Sequence, residues 1–246
     1  MTLAIKLDQS KLVKNLVVKN KYVTHVEKAL EKDGEFTWDA KFEPKLGDDA
    51  FHPSGDCTPS VHNLWLKVTG QGEPQKIGSS LRKTFAVGHF WHAYLQFITV
   101  EVLGIADWDA VERRGETRWG EGPFHWATGS GDIAPAKLPT YGDYLIDFKT
   151  MNTFDFRKNG MPDWTADKWE CQTNIYMDWF DLDKAIIVGI QKDSPHDLKE
   201  FEFHRNQPLI DAIYKKWKLV GACVKENIEP PENEEAPLPL QGAIKR

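Results

Sequence analysis

The stretch Asp143-Tyr-Leu-Ile-Asp-Phe-Lys-Thr150 constrains this chain most. It reads as a strand, bounded by a turn at Thr140–Asp143. Residues i and i+2 of a strand share a face. Asp147 and Lys149 therefore project together, while apolar Phe148 between them turns toward a core. A helical pattern follows at about 165–181. Ala185–Gln191 then reads as a buried strand, and Glu200–His204 as another. Asn206 caps a last helix that runs to about Glu226, with Pro208 in its first turn.

Upstream, the apolar spacing predicts helices at 10–33 and at Leu81–Leu103, the second stopped by Gly104. Residues 35–58 read as loop. Thr58-Pro59 reads as an N-cap followed by proline at the first helical position, opening a short helix to about Val68. A short helix is predicted near Asp107–Arg114. Short Gly- and turn-rich stretches cover 116–128 and 131–137. The order is helices, a cluster of strands, then helix, strand, strand, helix, without an internal repeat. That order predicts a mixed α/β (α+β) domain with a helical N-terminal part. The expected organisation is an N-terminal helical extension at 1–50, a main domain at 51–228 and a disordered Pro/Glu-rich tail at 229–246.

With 41% hydrophobic and 28% charged residues, wholesale disorder, collagen and coiled coil are excluded. No run of 18 apolar residues predicts a membrane span, and no secretory signal is read at the N-terminus. Cys57, Cys171 and Cys223 are odd in number and widely spaced, which fits a reduced cytoplasmic protein and not a disulfide scaffold. A net charge of −6 excludes a histone-like polycation but leaves room for a local basic groove. Ten tryptophans are an unusual share. Trp65, Trp91, Trp169, Trp179 and Trp217 fall on predicted helices and read as core. Trp119, Trp126 and Trp164 fall in loop-like stretches and are the better candidates for stacking on bases or sugars.

No Walker-type phosphate loop, GxGxxG, GxSxG or HExxH is present, and Gly129-Ser-Gly131 is too short to count. His89 and His92 share a helix face, but no third zinc ligand stands at standard spacing. The informative set is Asp132, Asp147 and Lys149. If the strands bearing Asp132 and Asp147 pair, two carboxylates and an ammonium meet on one rim. Hard carboxylate oxygens suit Mg²⁺ or Mn²⁺, which can polarise a phosphate and activate water. Gly88-xxx-His92-xxx-Gln96 precedes this set on the long helix, and Gln172-xxx-Tyr176 follows it on another. Each motif alone reads more readily as an ordinary solvated or core face.

Together and in this order they resemble the RecB-like branch of the PD-(D/E)XK nuclease superfamily. The chain looks like a phage-type exonuclease, similar to the nucleases of CRISPR adaptation. The resemblance runs from about His52 to Gln191 and includes Phe51-His-Pro-Ser-Gly-Asp-Cys57, Arg82 to Gln96, and Asp147-Phe-Lys-Thr150. It implies a restriction-endonuclease-like core, a central mixed sheet flanked by helices. It also implies that His92, Asp132, Asp147 and the Phe148 carbonyl bind the metal. Lys149 would be the catalytic lysine, Gln172 and Tyr176 would hold the DNA strand, and Glu112 would be accessory. The cofactor is expected to be Mg²⁺ or Mn²⁺. Four thiolates are not available for an iron–sulfur cluster of the kind some relatives carry, so none is expected. DNA is the expected partner, together with a single-strand-binding or recombination protein. An endonuclease of the same fold, a non-catalytic nucleic-acid-binding module and a carbohydrate-active protein are the alternatives. The last would need a carboxylate pair flanking a sugar, and it leaves Lys149 and His92 unexplained.

Overall fold

The computed structural model describes residues 49–72, 79–158, 161, 163–192, 198–232 and 237–243. The helix predicted at 10–33 lies outside them. Among the described residues, three helices come first: α1 Pro53–Asp56, α2 Val61–Val68 and α3 Ser79–Phe97. Strands β1 Val111–Arg118, β2 Trp126–Leu138 and β3 Gly142–Met151 follow. Then come α4 Thr153–Arg157, α5 Asp163–Phe180, β4 Lys184–Gln191, β5 Leu198–His204 and α6 Gln207–Glu226.

The strands form a five-stranded mixed sheet in the order β1-β2-β3-β4-β5. Every pairing is antiparallel except β3–β4, which is parallel. A parallel pair needs a crossover, and α5 lies within it. Along β3 the side chains alternate as the sequence predicts. Leu145 packs with Tyr176, Met177 and Phe180 of α5. Ile146 and Phe148 join Leu95 of α3 and Ile133 of β2. The sheet is thus flanked by helices. A further apolar cluster joins Phe51, Leu64, Cys171, Ile175, Ile213 and Trp217, with α6 packed against both α2 and α5.

The descent of α5 onto the sheet depends on glycines that register opposite each other, Gly115 and Gly129. A Cβ at Gly115 would lie 2.5 Å from the Trp179 ring, and one at Gly129 would lie 3.1 Å from the Tyr176 hydroxyl. Gly129-Ser-Gly131, of no use as a phosphate loop, is a seat for aromatic side chains.

Several local expectations are corrected. The cap of α2 is Ser60, whose hydroxyl accepts from Asn63 N at 3.2 Å, and not Thr58. Buried Lys216 fixes the preceding segment by donating to the carbonyls of Cys57 and Pro59, at 2.8 Å each. Residues 53–56, read as loop, form the turn α1. The long helix ends at Phe97 and passes into a π-helical turn, Ile98–Val102. The helix expected at Asp107–Arg114 is only a 3₁₀ turn, Trp108–Ala110, before β1 begins. Cross-strand pairing of Val111 and Arg113 with Ile133 and Gly131 overrides the helical pattern.

Trp119 is no stacking platform. It stacks inward on Phe51 and Trp217. Trp126 lies under the Arg118 guanidinium at 4.2 Å. Trp65, Trp169 and Trp217 are core, as expected.

The tail departs from the expected disorder. Leu238 and Leu240 pack on the α2–α5–α6 cluster. Pro239 O accepts from Asn206 Nδ2 at 2.7 Å. Gln241 N and Gly242 N donate to the two oxygens of Glu170 at 2.7 and 2.9 Å. A buried glutamate with few other donors supplies the anchor that composition does not reveal. No described helix is long and apolar enough to cross a membrane.

Candidate active site

A cleft of about 340 Å³ opens beside the sheet where β2, β3, α3 and α5 converge. Its walls include His92, Glu112, Asp132, Asp147, Lys149, Gln172 and Tyr176. Every predicted site residue is among these except Phe148, which is packed in the core behind. The juxtaposition follows from register. Strands β2 and β3 pair antiparallel, with Ile133 opposite Ile146, which brings Asp132 beside Asp147. The link is direct: Phe148 N donates to Asp132 Oδ2 at 2.6 Å.

The two acids are treated differently by their surroundings. Asp132 Oδ1 accepts from His92 Nδ1 at 3.1 Å and from Gln96 Nε2 at 3.4 Å. A carboxylate only accepts, so His92 carries its proton on Nδ1 and leaves Nε2 as the other ring nitrogen. Burial would raise the Asp132 pKa. The His92 hydrogen bond and charge, then Lys149 and the Phe148 N–H, outweigh burial and hold it below the usual value. For His92, burial disfavours the charged form, but the hydrogen bond and charge of Asp132 prevail and raise its pKa.

Asp147 is 2% exposed. Its Oδ2 stands 2.5 Å from Lys149 Nζ as a charge-assisted ion pair. Burial, reinforced by the charge of Asp132, raises its pKa despite Lys149. Two neighbouring carboxylates pushed in opposite directions is a pattern common at catalytic centres.

Gln172 and Tyr176 lie one helical turn apart on α5, as their spacing predicts, and Gln172 Nε2 donates to the Tyr176 hydroxyl at 3.2 Å. Both are buried, so they form a wall of the cleft and not an exposed arm. Burial pushes the Tyr176 pKa up, and the hydroxyl stays protonated. Glu112 sits on β1 with Oε1 held by Gln96 at 2.8 Å and Oε2 held by Ser130 at 2.9 Å.

The sequence reading missed His52, Ser54 and Ser130, which also line the cleft. Ser54 and His52 lie within the segment that carries the family resemblance. Ser130 has no signal beyond its place before Asp132. His89, set aside as half of a zinc pair, faces the same cleft.

Among the described residues, no three His, Cys, Asp or Glu side chains close into a ready-made metal cage. The donor chemistry fits a hard cation bound in the open. Magnesium is typically held by one or two carboxylates, with water and substrate phosphate completing its shell. Two buried neighbouring carboxylates, Asp132 and Asp147, on the wall of a polar cleft suit that arrangement. Cys57 and Cys171 are buried, and burial pushes the Cys171 thiol up to about 12 and Cys57 well above its ordinary value.

No family model and no curated protein matches the chain. Among solved structures, an alkaline exonuclease from Laribacter hongkongensis is 16% identical. The alignment covers 74% of this chain and 90% of that one, with a TM-score of 0.47. A phage-related exonuclease from Haemophilus somnus is 16% identical over 68% of this chain and 82% of that one, with a TM-score of 0.37.

Proposed function

We propose that the chain is a Mg²⁺- or Mn²⁺-dependent deoxyribonuclease that hydrolyses phosphodiester bonds from DNA ends. One observation carries the nuclease reading. Side chains from three strands and two helices, picked out by motif, line a single cleft, where a buried acid is ion-paired to a lysine. The exonuclease reading follows the motif resemblance.

The residues to hold the cation are Asp132, Asp147, His92 and the Phe148 carbonyl. A bound divalent cation supplies charge against the scissile phosphate and lowers the pKa of a water. Asp132 fixes the His92 tautomer through Nδ1, as carboxylates do for ligating histidines. Lys149 presents an ammonium where negative charge grows on the phosphate and orients the attacking water. Gln172 and Tyr176 wall the cleft and position the strand. A partner for unwinding or recombination is part of the same proposal, since no helicase motif is present in the sequence.

The deciding experiment is digestion of end-labelled linear, covalently closed circular and single-stranded DNA with Mg²⁺ or Mn²⁺. Loss of label from linear DNA with intact circles is expected. Nicked circles would identify an endonuclease. Binding without cutting in either metal would make the chain a binding module.

A further inference from the structure

Lys168 is not among the cleft walls, yet it stands on the helix face that forms one of them. It precedes Gln172 by one helical turn, as Gln172 precedes Tyr176, so the three share a face of α5. Helix α5 lies in the crossover between the parallel strands β3 and β4. Its first half is thereby set beside the carboxyl end of β3, where Lys149 stands. Lys168 continues the Gln172–Tyr176 wall past Lys149.

Three ammonium groups meet in this region, and two of them are answered by an acid. Lys149 pairs with Asp147, and Lys67 of α2 pairs with Asp56. Lys168 is exposed, and among the described residues no hydrogen bond or ion pair holds it. Loss of surrounding water, and after it the charges of Lys149 and Lys67, lower its pKa against the opposing pull of Asp56. A chain of net charge −6 carries acids enough to answer every lysine, yet this one is left beside two other cations. A cation set against its own kind is relieved by a bound anion, and an ammonium at the end of a cleft draws one in. Lysine serves phosphate oxygens in this way, as a point charge on a flexible stem.

We propose that Lys168 clamps a phosphodiester of the DNA strand next to the scissile one, where the strand passes the carboxyl end of β3. The inference rests on the nuclease reading above. It gives the cleft a substrate longer than the bond it cuts. A strand engages both lysines, Lys149 at the reacting phosphate and Lys168 at its neighbour, whereas an ester of a single nucleotide reaches only the first.

The test is a double-mutant cycle between protein and DNA. Linear DNA carries one neutral methylphosphonate in place of a phosphate, moved stepwise through the positions beyond the scissile bond, and kcat/KM is measured with Mg²⁺ for the full chain. Lys168→Gln removes a charge from an exposed side chain that holds nothing else, so the fold is kept. It should lower kcat/KM about 5-fold at low salt, the upper end for an exposed ion pair. The slope of log kcat/KM against log salt should fall by about one. At one position the methylphosphonate should lower wild-type kcat/KM by a similar factor and leave Lys168→Gln unaffected. That coupling supports the proposal. Equal losses in both proteins at every position overturn it.

A phosphate monoester at the DNA end is the other source of the same chemistry, and substrates with and without a terminal phosphate separate the two. A loss in Lys168→Gln with both kinds of end supports the internal phosphodiester. A loss confined to phosphorylated ends overturns it. If wild type cuts DNA but no position couples to Lys168, only this inference fails. If wild type cuts no DNA, the nuclease reading fails and takes the inference with it.

Discussion

Helix α5 borders two regions that bury charge in opposite ways. Toward α6 and the tail, Glu170 is 3% exposed, and both its oxygens accept backbone N–H groups. Lys216 is equally committed to two carbonyls. Toward the sheet, Asp147 is as deeply buried, but its Oδ2 meets another cleft side chain, Lys149, at 2.5 Å, and burial still raises its pKa. A fully satisfied buried charge is a structural device. A partly satisfied one costs stability and persists where the site has another use. On this contrast, the tail side stabilises the fold and the sheet side carries the cleft proposed for the chemistry.

The sharpest way to break the contrast is catalytic. Lys149→Ala and Asp147→Asn should each lower the single-turnover cleavage rate by about 10²–10³-fold. Lys149→Ala should bind DNA as wild type does at fixed salt. Gln172→Ala with Tyr176→Ala should instead weaken binding, with a smaller rate loss at saturating DNA. Wild-type cutting by Lys149→Ala would remove the site from consideration.

Next in size is the tail. Ending the chain after Glu232 strips Glu170 of both donors and Asn206 of Pro239. Leaving a buried charge unpaired costs about 3 kcal/mol, to be read as a lower urea midpoint. An unchanged midpoint would mean that the docked tail contributes nothing.

Stability should also separate the two cleft acids. In EDTA, Asp132→Asn should melt lower, by about 1–2 kcal/mol, because a charge-assisted partner of His92 and Phe148 N is lost. Asp147→Asn should melt at the wild-type temperature or above it, because its charge is disfavoured in the fold. Equal shifts of the same sign would erase the distinction.

The smallest effect is on pH dependence. His92 has a raised pKa, so its pairing with Asp132 stabilises the metal-free protein fully below 6.5 and less as pH rises through the folded value. Asp132, with a lowered pKa, contributes above 3.8 and loses that contribution as pH falls through its folded value. The melting difference between wild type and His92→Gln in EDTA should therefore shrink as pH rises above about 6.5. A difference that is constant from pH 5 to 9 would show that the pair carries no net charge coupling.

The cleft was largely legible because its signals are local. Asp147 and Lys149 share a face by strand period, and Gln172 and Tyr176 do so by helix period. What escaped depends on partners far away in the chain. Glu112 looked helical until pairing with β2 claimed its neighbours. Trp119 looked like a loop platform until Phe51 and Trp217 closed on it. The tail composition, Pro and Glu, spoke for disorder, and its docking rests on distant partners: the apolar cluster under Leu238 and Leu240, Asn206 and the buried Glu170. Local period finds faces, whereas long-range pairing decides which of them are covered.

The tail contact also has a consequence for the order in which a ribosome makes this chain. The first donor to Glu170 is encoded 71 residues after it. Until that stretch emerges, Glu170 lacks both of its backbone donors. The strands bearing Asp132 and Asp147 are synthesised well before then. A nascent chain thus has the strands bearing its acids before Glu170 gains its two donors, and the side of α5 that meets the tail is completed late in translation.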